Sequence, residues 1–121
     1  MVNPVAAQKR PRPVRTRIRF KVEIRGSRQS FFGESRDLSV EGLCFISPIL
    51  LVAGERVGAT LYFQEGVDHS VSLEIRWVRT ETSPHYLIGA EFVHLSESRK
   101  SMQRLLWQIE SGLVKGMIKG A

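Results

Sequence analysis

Short segments in which apolar and polar residues alternate recur along this chain, with turn residues between them. Phe20, Val22 and Ile24 alternate with charged residues, and the same period of two returns along 56–64 and 70–79. Such a period is typical of a strand that buries one face. We predict strands at 20–25, 29–36, 43–47, 56–64, 70–79 and 86–93. Short strands with regular turns favour a mainly β fold, a small six-stranded antiparallel β-barrel.

The alternation also predicts which side chains of the longer strands face the interior. One inward set is Val57, Ala59, Leu61 and Phe63, and the other is Val71, Leu73, Ile75 and Trp77. Phe32 and Tyr62 fall outside the inward alternations, so we expect them on the outer surface. A chain of 121 residues with 42% hydrophobic content is sufficient for one compact core.

After Ser96 the apolar period changes from that of a strand to that of a helix. The apolar stripe consists of Met102, Leu105, Leu106, Ile109, Leu113 and Met117. It predicts a C-terminal α-helix, from about residue 96, that packs across the mouth of the barrel. A weak homodimer formed through this helix is the alternative to a monomer, because a stripe that runs past Gly112 exceeds what one small barrel end requires.

Positive charge is concentrated in the first third of the chain. Residues 1–36 hold ten lysines and arginines but only two acids. This segment alone therefore carries more net positive charge than the whole chain, whose net charge is +6. Three prolines within residues 1–14 favour extended backbone, so we interpret this segment as a flexible basic arm and residues 15–121 as the folded domain. The asymmetry favours an anionic partner, which the charge pattern leaves open as nucleic acid, nucleotide or membrane surface.

Enzyme and metal chemistry find little support in the sequence. His69, His85 and His94 are scattered, and none has a second histidine or a cysteine at metal-ligand spacing. Cys44, the single cysteine, lies among apolar residues and is interpreted as a small buried residue in a reducing compartment. No apolar run reaches the roughly eighteen residues that a membrane-spanning helix needs. We therefore predict a cytoplasmic protein without enzymatic activity, metal or cofactor.

Asp37, Ser39 and Gly42 form the pattern Asp-x-Ser-x-x-Gly between two predicted strands. These residue types are typical of a turn, because Asp and Ser side chains bond nearby backbone groups and glycine adopts positive φ without strain. Taken alone, the pattern therefore indicates a hairpin turn over residues 37–42. Upstream, Arg15 and Arg19 supply the pattern Arg-x-x-x-Arg where the basic arm meets the first strand.

These two motifs, in this order, resemble those of the PilZ domain, a bacterial receptor module for cyclic di-GMP. The segments 43–48, 57–61, 75–78 and 88–92 look like later strands of the family, so the resemblance covers residues 9–110. It implies a non-catalytic receptor that binds cyclic di-GMP. By the same resemblance, the binding residues are Arg15, Arg19, Asp37, Ser39 and Gly42.

One departure from the family's pattern concerns the second arginine. In the family this arginine often precedes a hydrophobic residue, one further position and a phenylalanine. Arg17 stands in that register with Phe20, but the residue four positions before Arg17 is Pro13. Two pairings are therefore open: Arg15 with Arg19, or Arg17 with Arg12 or Arg10.

The chemistry of these residues suits a ligand that carries phosphates and guanines. Arginine bonds guanine O6 and N7, pairs with phosphate and stacks on the base, whereas aspartate accepts from guanine N1–H and the amine. We expect the ligand to order the chain from about Arg12 onward, to leave residues 1–10 mobile, and so to change the surface that a downstream protein partner meets. The alternatives are a small basic β-barrel that binds RNA or DNA with exposed aromatics, and a PilZ-like protein-interaction module without nucleotide binding.

Overall fold

The structure, a computed structural model, describes residues 15–64, 66–80, 84–93, 96–112 and 118–119. Its strands are β1 (Thr16–Arg19), β2 (Lys21–Arg25), β3 (Ser30–Leu38), β4 (Gly42–Ser47), β5 (Arg56–Gln64), β6 (Val67–Arg79), β7 (Tyr86–Phe92) and β8 (Ile118–Lys119). A helix, α1, spans Ser96–Glu110. The predicted basic arm, residues 1–14, lies outside the described residues.

Six of the strands close into an antiparallel barrel. β2 pairs with β5, and the order continues through β6, β7, β4 and β3. β3 then pairs with β2, which closes the sheet. This topology confirms the predicted six-stranded antiparallel β-barrel with a C-terminal helix. β1 pairs with the end of β3 on one side and with β8 on the other, and so extends the sheet beside the barrel.

The alternation in the sequence produces the core that it predicts. Its buried members include Phe20, Val22, Ile24, Val57, Ala59, Leu61 and Phe63. The rings of Phe20 and Phe63 contact each other, with their centroids 4.6 Å apart. Full burial of a large apolar side chain contributes about 1.5–3 kcal/mol, so these inward side chains stabilise the barrel.

Two short strands, β1 and β8, are absent from the sequence prediction. β1 continues the alternation of β2 toward the N-terminus, because Ile18 is buried as fully as Phe20. β8 consists of Ile118 and Lys119 alone, which is too short for a periodic pattern. Pairing between β1 and β8 therefore depends on contacts between distant parts of the chain.

The prediction that Trp77 faces the interior is wrong. The register of β6 against β7 shifts between Ile75 and Trp77, which is a β-bulge at Arg76. A bulge adds one residue to one strand, and therefore exchanges the faces of the residues beyond it. Ile75 is fully buried and Val78 packs on the core, whereas 40% of Trp77 is exposed.

α1 packs its apolar stripe on the barrel core. The buried residues of the stripe are Met102, Leu105, Leu106 and Ile109. Leu113 and Met117, which continue the stripe in the sequence, lie outside the described residues, so the homodimer contact stays a prediction. Within the described part of the chain, α1 is neither long nor apolar enough to cross a membrane.

Two polar contacts join α1 to one end of the barrel. Thr16 Oγ1, on β1, donates a hydrogen bond to Glu110 Oε2 at 3.1 Å. Arg99 Nη2 lies 3.6 Å from Glu41 Oε2, in the turn between β3 and β4. Exposed contacts of this kind stabilise little by themselves, but they locate α1 beside the start of β1 and the β3–β4 turn.

Candidate functional site

One row of cross-strand partners crosses five strands of the sheet. The row consists of Arg17 on β1, Asp37 on β3, Cys44 on β4, Gly89 on β7 and Trp77 on β6. Paired residues of neighbouring strands share a face, and the residues next to these in sequence supply the core. We define the arginine face as the outward surface formed by Arg15, Arg17, Arg19, Asp37, Cys44, Trp77, Arg79 and Gly89.

A second bulge turns Asp37 to the outer surface. The register of β3 against β4 shifts between Ser35 and Asp37, so that Arg36 is the additional residue. Ser35 and Leu38 are both fully buried, and Asp37 between them is partly exposed. Asp37 therefore lies on a strand, and the predicted turn over 37–42 is shorter than expected, because β3 runs to Leu38 and β4 begins at Gly42.

Arg15 and Asp37, two of the predicted binding residues, form an ion pair. Arg15 Nη1 donates to Asp37 Oδ1 at 2.6 Å. Both side chains keep access to solvent, with 54% of Arg15 and 26% of Asp37 exposed. The pair therefore presents a guanidinium and a carboxylate side by side, with edges free for a ligand.

The other arginines of β1 lie on the same side of the sheet. Arg17 is the direct cross-strand partner of Asp37, and Arg19 follows two positions later. Arg19 Nε lies 4.0 Å from Glu34 Oε1, at the limit of an ion pair. Arg17 therefore joins both members of the predicted Arg15–Arg19 pair on one surface. Arg12 and Arg10 lie outside the described residues.

Ser39 builds the turn that follows Asp37. Its Oγ accepts hydrogen bonds from the amides of Glu41 and Gly42, each at 3.2 Å. Its own amide donates to the Gly42 carbonyl at 2.9 Å, and the side chain is almost completely buried. The hydroxyl oxygen is thus engaged with backbone and fixes the turn.

Gly42 is required by a close approach of two strands. Gly42 does not adopt positive φ, since the glycines that do so among the described residues are Gly54, Gly66 and Gly112. A Cβ on Gly42 would instead overlap the carbonyl oxygen of Ala90 on β7. Only glycine allows β4 to start this near β7, and the turn between Ser39 and Gly42 depends on that start.

Trp77 and Arg79 are site candidates that the sequence prediction misses. The Trp77 ring lies directly over Gly89, so close that a Cβ at residue 89 would overlap the ring atoms. The Arg79 guanidinium carbon is 5.2 Å from the centroid of the Trp77 ring, a cation–π contact. The available signal is a glycine within the strand pattern of 86–93, since such a glycine marks close approach of another group.

Cys44 lies in the row but is not a reactive thiol. It is a free cysteine and is buried, as predicted, but it lies on the outward side of β4, whereas its neighbours Leu43 and Phe45 belong to the core. Burial raises the pKa of the Cys44 thiol to about 11; the Asp37 carboxylate acts in the same direction, against Arg15 and other nearby arginines. The thiol is therefore protonated at neutral pH, and a protonated thiol is a poor nucleophile.

The arginine face combines three kinds of recognition within a short distance. Strands are spaced about 4.8 Å apart, so Asp37 and Gly89, two strands apart, are separated by roughly 10 Å. The carboxylate accepts from donors, the guanidiniums bond anions, and the indole provides a π surface above Gly89. This combination suits an anionic ligand that carries flat rings with hydrogen-bond donors.

The fold defines a class of protein, a closed six-stranded antiparallel barrel with one C-terminal helix. A family model described as the PilZ domain matches residues 8–108, and the chain belongs to the PilZ domain family. The match confirms the resemblance drawn from the sequence motifs.

Solved structures share this fold. The PilZ domain of YcgR from Escherichia coli, solved with c-di-GMP, is 12% identical with a TM-score of 0.70, over 87% of this chain and 95% of that one. The K. pneumonia MrkH–c-di-GMP complex is 21% identical with a TM-score of 0.65, over 87% and 54% of the respective chains. The PilZ domain of CeSA from a cellulose-synthesizing bacterium is 20% identical with a TM-score of 0.62, over 80% and 98%.

The lengths of these relatives differ. This chain covers nearly all of the isolated PilZ domains of YcgR and CeSA. It spans about half of the length of MrkH and of the Bacillus subtilis inhibitor of motility, MotI/DgrA, at 54% and 52% of those chains. No sequence among the curated proteins is significantly similar to it.

Proposed function

We propose that this protein is a non-catalytic receptor for cyclic di-GMP, which it binds on the arginine face. The observation that carries the proposal is the alignment of the Arg15–Asp37 ion pair and the Trp77 ring along one outward row of cross-strand partners. Membership of the PilZ family supports it, as do the complexes of YcgR and MrkH with c-di-GMP.

Each group of the arginine face has a role in this proposal. Arg15 and Arg19 bond guanine edges or phosphate with their planar forks, and Arg17 adds charge beside them. Asp37 accepts from guanine N1–H and its amine, which are donors that arginine does not serve. Trp77, with Arg79 against its ring, stacks on a base.

Ser39 and Gly42 take part through the backbone. Since the Ser39 hydroxyl bonds two amides of the turn and Gly42 abuts β7, both hold the end of β3 in place. They therefore fix the position of Asp37, whose carboxylate pairs with Arg15 through Oδ1 and keeps access to solvent. This role differs from the direct ligand contact that the resemblance implies for them.

Binding of RNA or DNA is the rival function, and it requires aromatic side chains exposed together for stacking. Phe32 and Tyr62, the aromatics expected outside, lie on another surface. We call it the lysine face, formed by Lys21, Glu23, Arg25, Phe32, Glu34 and Tyr62. There the Tyr62 hydroxyl donates to Glu23 at 2.8 Å, and Lys21 Nζ lies 4.8 and 5.2 Å from the ring centroids of Phe32 and Tyr62. Acids beside these rings disfavour a phosphate backbone, so we rank this function second.

Isothermal titration calorimetry with cyclic di-GMP is the direct test. We expect saturable heat from the dinucleotide and none from GMP at the same concentration, because the mononucleotide occupies only part of the face. Absence of heat at high micromolar cyclic di-GMP would overturn the receptor proposal. Binding of a single-stranded RNA with a steep salt dependence would then favour the rival, and binding of neither would favour the protein-interaction module.

Asp37→Asn separates recognition of guanine from attraction of negative charge. The carboxylate only accepts hydrogen bonds, whereas the amide accepts and donates. If Asp37 accepts from guanine, we expect affinity to fall by roughly three- to tenfold, although the face becomes more positive, because a charge-assisted hydrogen bond is lost. Affinity equal to or above that of the wild type, with an unchanged melting temperature, would contradict this role.

The signal that we propose is the ordering of the basic arm just before β1. Arg17 and Arg19 already belong to β1, so ordering starts upstream, within residues 12–14. Fixing a residue costs about 1–2 kcal/mol of backbone entropy. A few charge-assisted hydrogen bonds of about 1.5–3 kcal/mol each offset this cost for a few residues only.

Backbone nitrogen-15 relaxation with and without cyclic di-GMP tests the ordering. We expect higher order in residues 12–14 on saturation and no change in residues 1–10. Unchanged relaxation in 12–14, with binding demonstrated by calorimetry, would exclude the arm as the signalling element and leave the receptor proposal intact.

A further inference from the structure

Ser35 is a fully buried serine, with 0% exposure, that bonds the corner between β1 and β2. Its Oγ donates to the Ile18 carbonyl at 2.6 Å and accepts from the Phe20 amide at 2.8 Å. Its backbone amide donates to the Phe20 carbonyl at 2.9 Å. Because the site is closed to solvent, water does not replace these contacts if the hydroxyl is removed.

These contacts bracket Arg19. The Ile18 carbonyl and the Phe20 amide belong to the peptide groups on either side of Arg19, so one hydroxyl restrains both. The side chains of Ile18 and Phe20 are buried in the core, which turns the side chain between them outward. The direction in which Arg19 leaves the sheet therefore depends on the torsion angles that Ser35 restrains.

Ser35 also spans a gap between two ladders. β3 pairs with β2 up to Lys21↔Glu34, and with β1 at Thr16↔Leu38 and Arg17↔Asp37. Residues 18–20 fall between these ladders, opposite the bulge that starts at Ser35. A hydroxyl donates and accepts at once, so it satisfies a carbonyl and an amide that the interrupted ladder does not pair.

We infer that Ser35 is a positioning residue for ligand recognition: it holds the peptide groups that flank Arg19 and so sets how this arginine is presented on the arginine face. The inference rests on the proposed binding of cyclic di-GMP. Ser35 itself is too buried to touch the ligand, and it acts through Arg19.

A double-mutant cycle with Ser35→Ala and Arg19→Ala tests this coupling by calorimetry with cyclic di-GMP. At metal sites, partners that orient a binding group change affinity by about 10–100-fold, and by analogy we expect Ser35→Ala to weaken cyclic di-GMP binding about tenfold when Arg19 is present. In the Arg19→Ala background the same change should weaken binding less than about twofold, because residues that act through one another are not additive.

Ser47→Ala is the matched control. Ser47 is also fully buried, and its Oγ donates to the Ile49 carbonyl at 2.6 Å and accepts from the Ile49 amide at 3.0 Å. It lies at the other end of β4 from Gly42. We expect both serine variants to lower the melting temperature, whereas only Ser35→Ala lowers affinity at a temperature where all variants are folded.

Relaxation in the ligand-free protein gives an independent readout. In Ser35→Ala, the Arg19 Nε–H and the Phe20 amide should become more mobile, and in Ser47→Ala they should not. If Ser35→Ala does not fold, Ser35→Cys takes its place, because the thiol fills similar space but bonds more weakly than a hydroxyl.

Three results would overturn the positioning role: additive losses of affinity in the cycle, equal losses for Ser35→Ala and Ser47→Ala, or an Arg19 that is no more mobile in Ser35→Ala. Absence of binding by the wild type would contradict the proposed function instead. The relaxation measurement would then decide by itself whether Ser35 orders Arg19.

Discussion

The arginine face and the lysine face lie on one barrel and use the same kinds of side chain, but their contacts differ. On the lysine face, Lys21 lies over both rings and Tyr62 bonds Glu23, so cation, hydroxyl and acid are partnered within the face. On the arginine face, Arg15 pairs with Asp37 and Arg79 lies against the Trp77 ring, but Arg17 makes no salt bridge within the described residues.

The comparison teaches that composition alone does not distinguish a binding surface from a structural one. A surface whose cations already neutralise its own acids gains little from binding an anion. A surface whose arginines outnumber its acids gains charge-assisted hydrogen bonds and a favourable field. We therefore expect substitutions on the arginine face to change affinity and substitutions on the lysine face to change stability.

Removal of an arginine should have the largest effect. We expect Arg15→Ala or Arg19→Ala to weaken cyclic di-GMP binding by about 10–100-fold, because a bidentate arginine–guanine contact contributes about 1–3 kcal/mol. Lys21→Ala removes the same charge from the lysine face and should weaken binding less than either arginine variant, because the Lys21 ammonium lies over the Phe32 and Tyr62 rings. Calorimetry at fixed ionic strength measures all three.

Arg17→Ala decides which arginines form the binding pair. If it abolishes binding while Arg15→Ala and Arg19→Ala bind as the wild type does, Arg17 pairs with an arginine of the arm. An equal loss in Lys21→Ala would remove the distinction between the two faces altogether.

Gly89→Ala should have the next largest effect, because it displaces Trp77 without removing it. The new Cβ overlaps the Trp77 ring, so the ring must move. Stacking of a base on an aromatic ring contributes about 1–3 kcal/mol, so we expect about tenfold weaker binding. Phe32→Ala, which removes a ring from the lysine face, should leave affinity unchanged.

Fluorescence of Trp77 reports the displacement in a Trp107→Phe background, since Trp107 is 58% exposed on α1 and would add its own emission. A displaced indole with unchanged affinity would exclude Trp77 from the site.

Alkaline pH should have a smaller effect, a loss of folding stability through Cys44 on the arginine face. The pKa of the Cys44 thiol is raised from 9.0 to about 11, chiefly by burial, so the folded state favours the protonated thiol. The resulting stability is complete below pH 9 and is lost as pH rises through 11. At pH 10 the loss is about 1.4 kcal/mol.

Urea denaturation between pH 9 and 11 measures this effect. In Cys44→Ala the free energy of unfolding should fall less steeply with pH than in the wild type. Tyr62, whose pKa is raised chiefly by its hydrogen bond to Glu23, adds to the fall in both proteins and therefore cancels in the difference. Parallel curves would mean that Cys44 is not protonated preferentially in the folded state.

The smallest effect is expected from Tyr62→Phe on the lysine face. It removes the hydrogen bond from the Tyr62 hydroxyl to Glu23, 2.8 Å long and partly exposed. We expect a small decrease in the free energy of unfolding, measured in urea at neutral pH, and no change in affinity, because an exposed hydrogen bond contributes little. A weakened affinity for cyclic di-GMP would place part of the ligand on the lysine face.

The six barrel strands are predictable from the sequence because each carries its own signal. Along β5 every second residue from Val57 to Phe63 is buried, and the same period extends through β2. The sides on which Asp37 and Trp77 emerge are not predictable in this way. Each follows a bulge, and a bulge is defined by the register of the partner strand, which the local sequence does not contain.

The candidate site is likewise predictable only where a local sequence motif marks its residues. Asp37 and Arg15 are marked by motifs, and the structure brings them into contact. The need for Gly42 comes from Ala90, far along the chain, so the local motif suggested a positive φ that the structure does not have. Trp77 over Gly89 likewise combines residues of two strands, and only the glycine left a trace in the sequence.

The pairing of β1 with β8 has a consequence for engineering. Arg19 lies directly opposite Ile118, so the path into the described fold and the path out of it are about 5 Å apart, the spacing of adjacent strands. A domain whose entry and exit points are this close can be inserted into a surface loop of another protein without separating the two ends of that loop. Because β1 carries Arg17 and Arg19, the proposed binding of cyclic di-GMP would place the ligand next to the junction of such a graft.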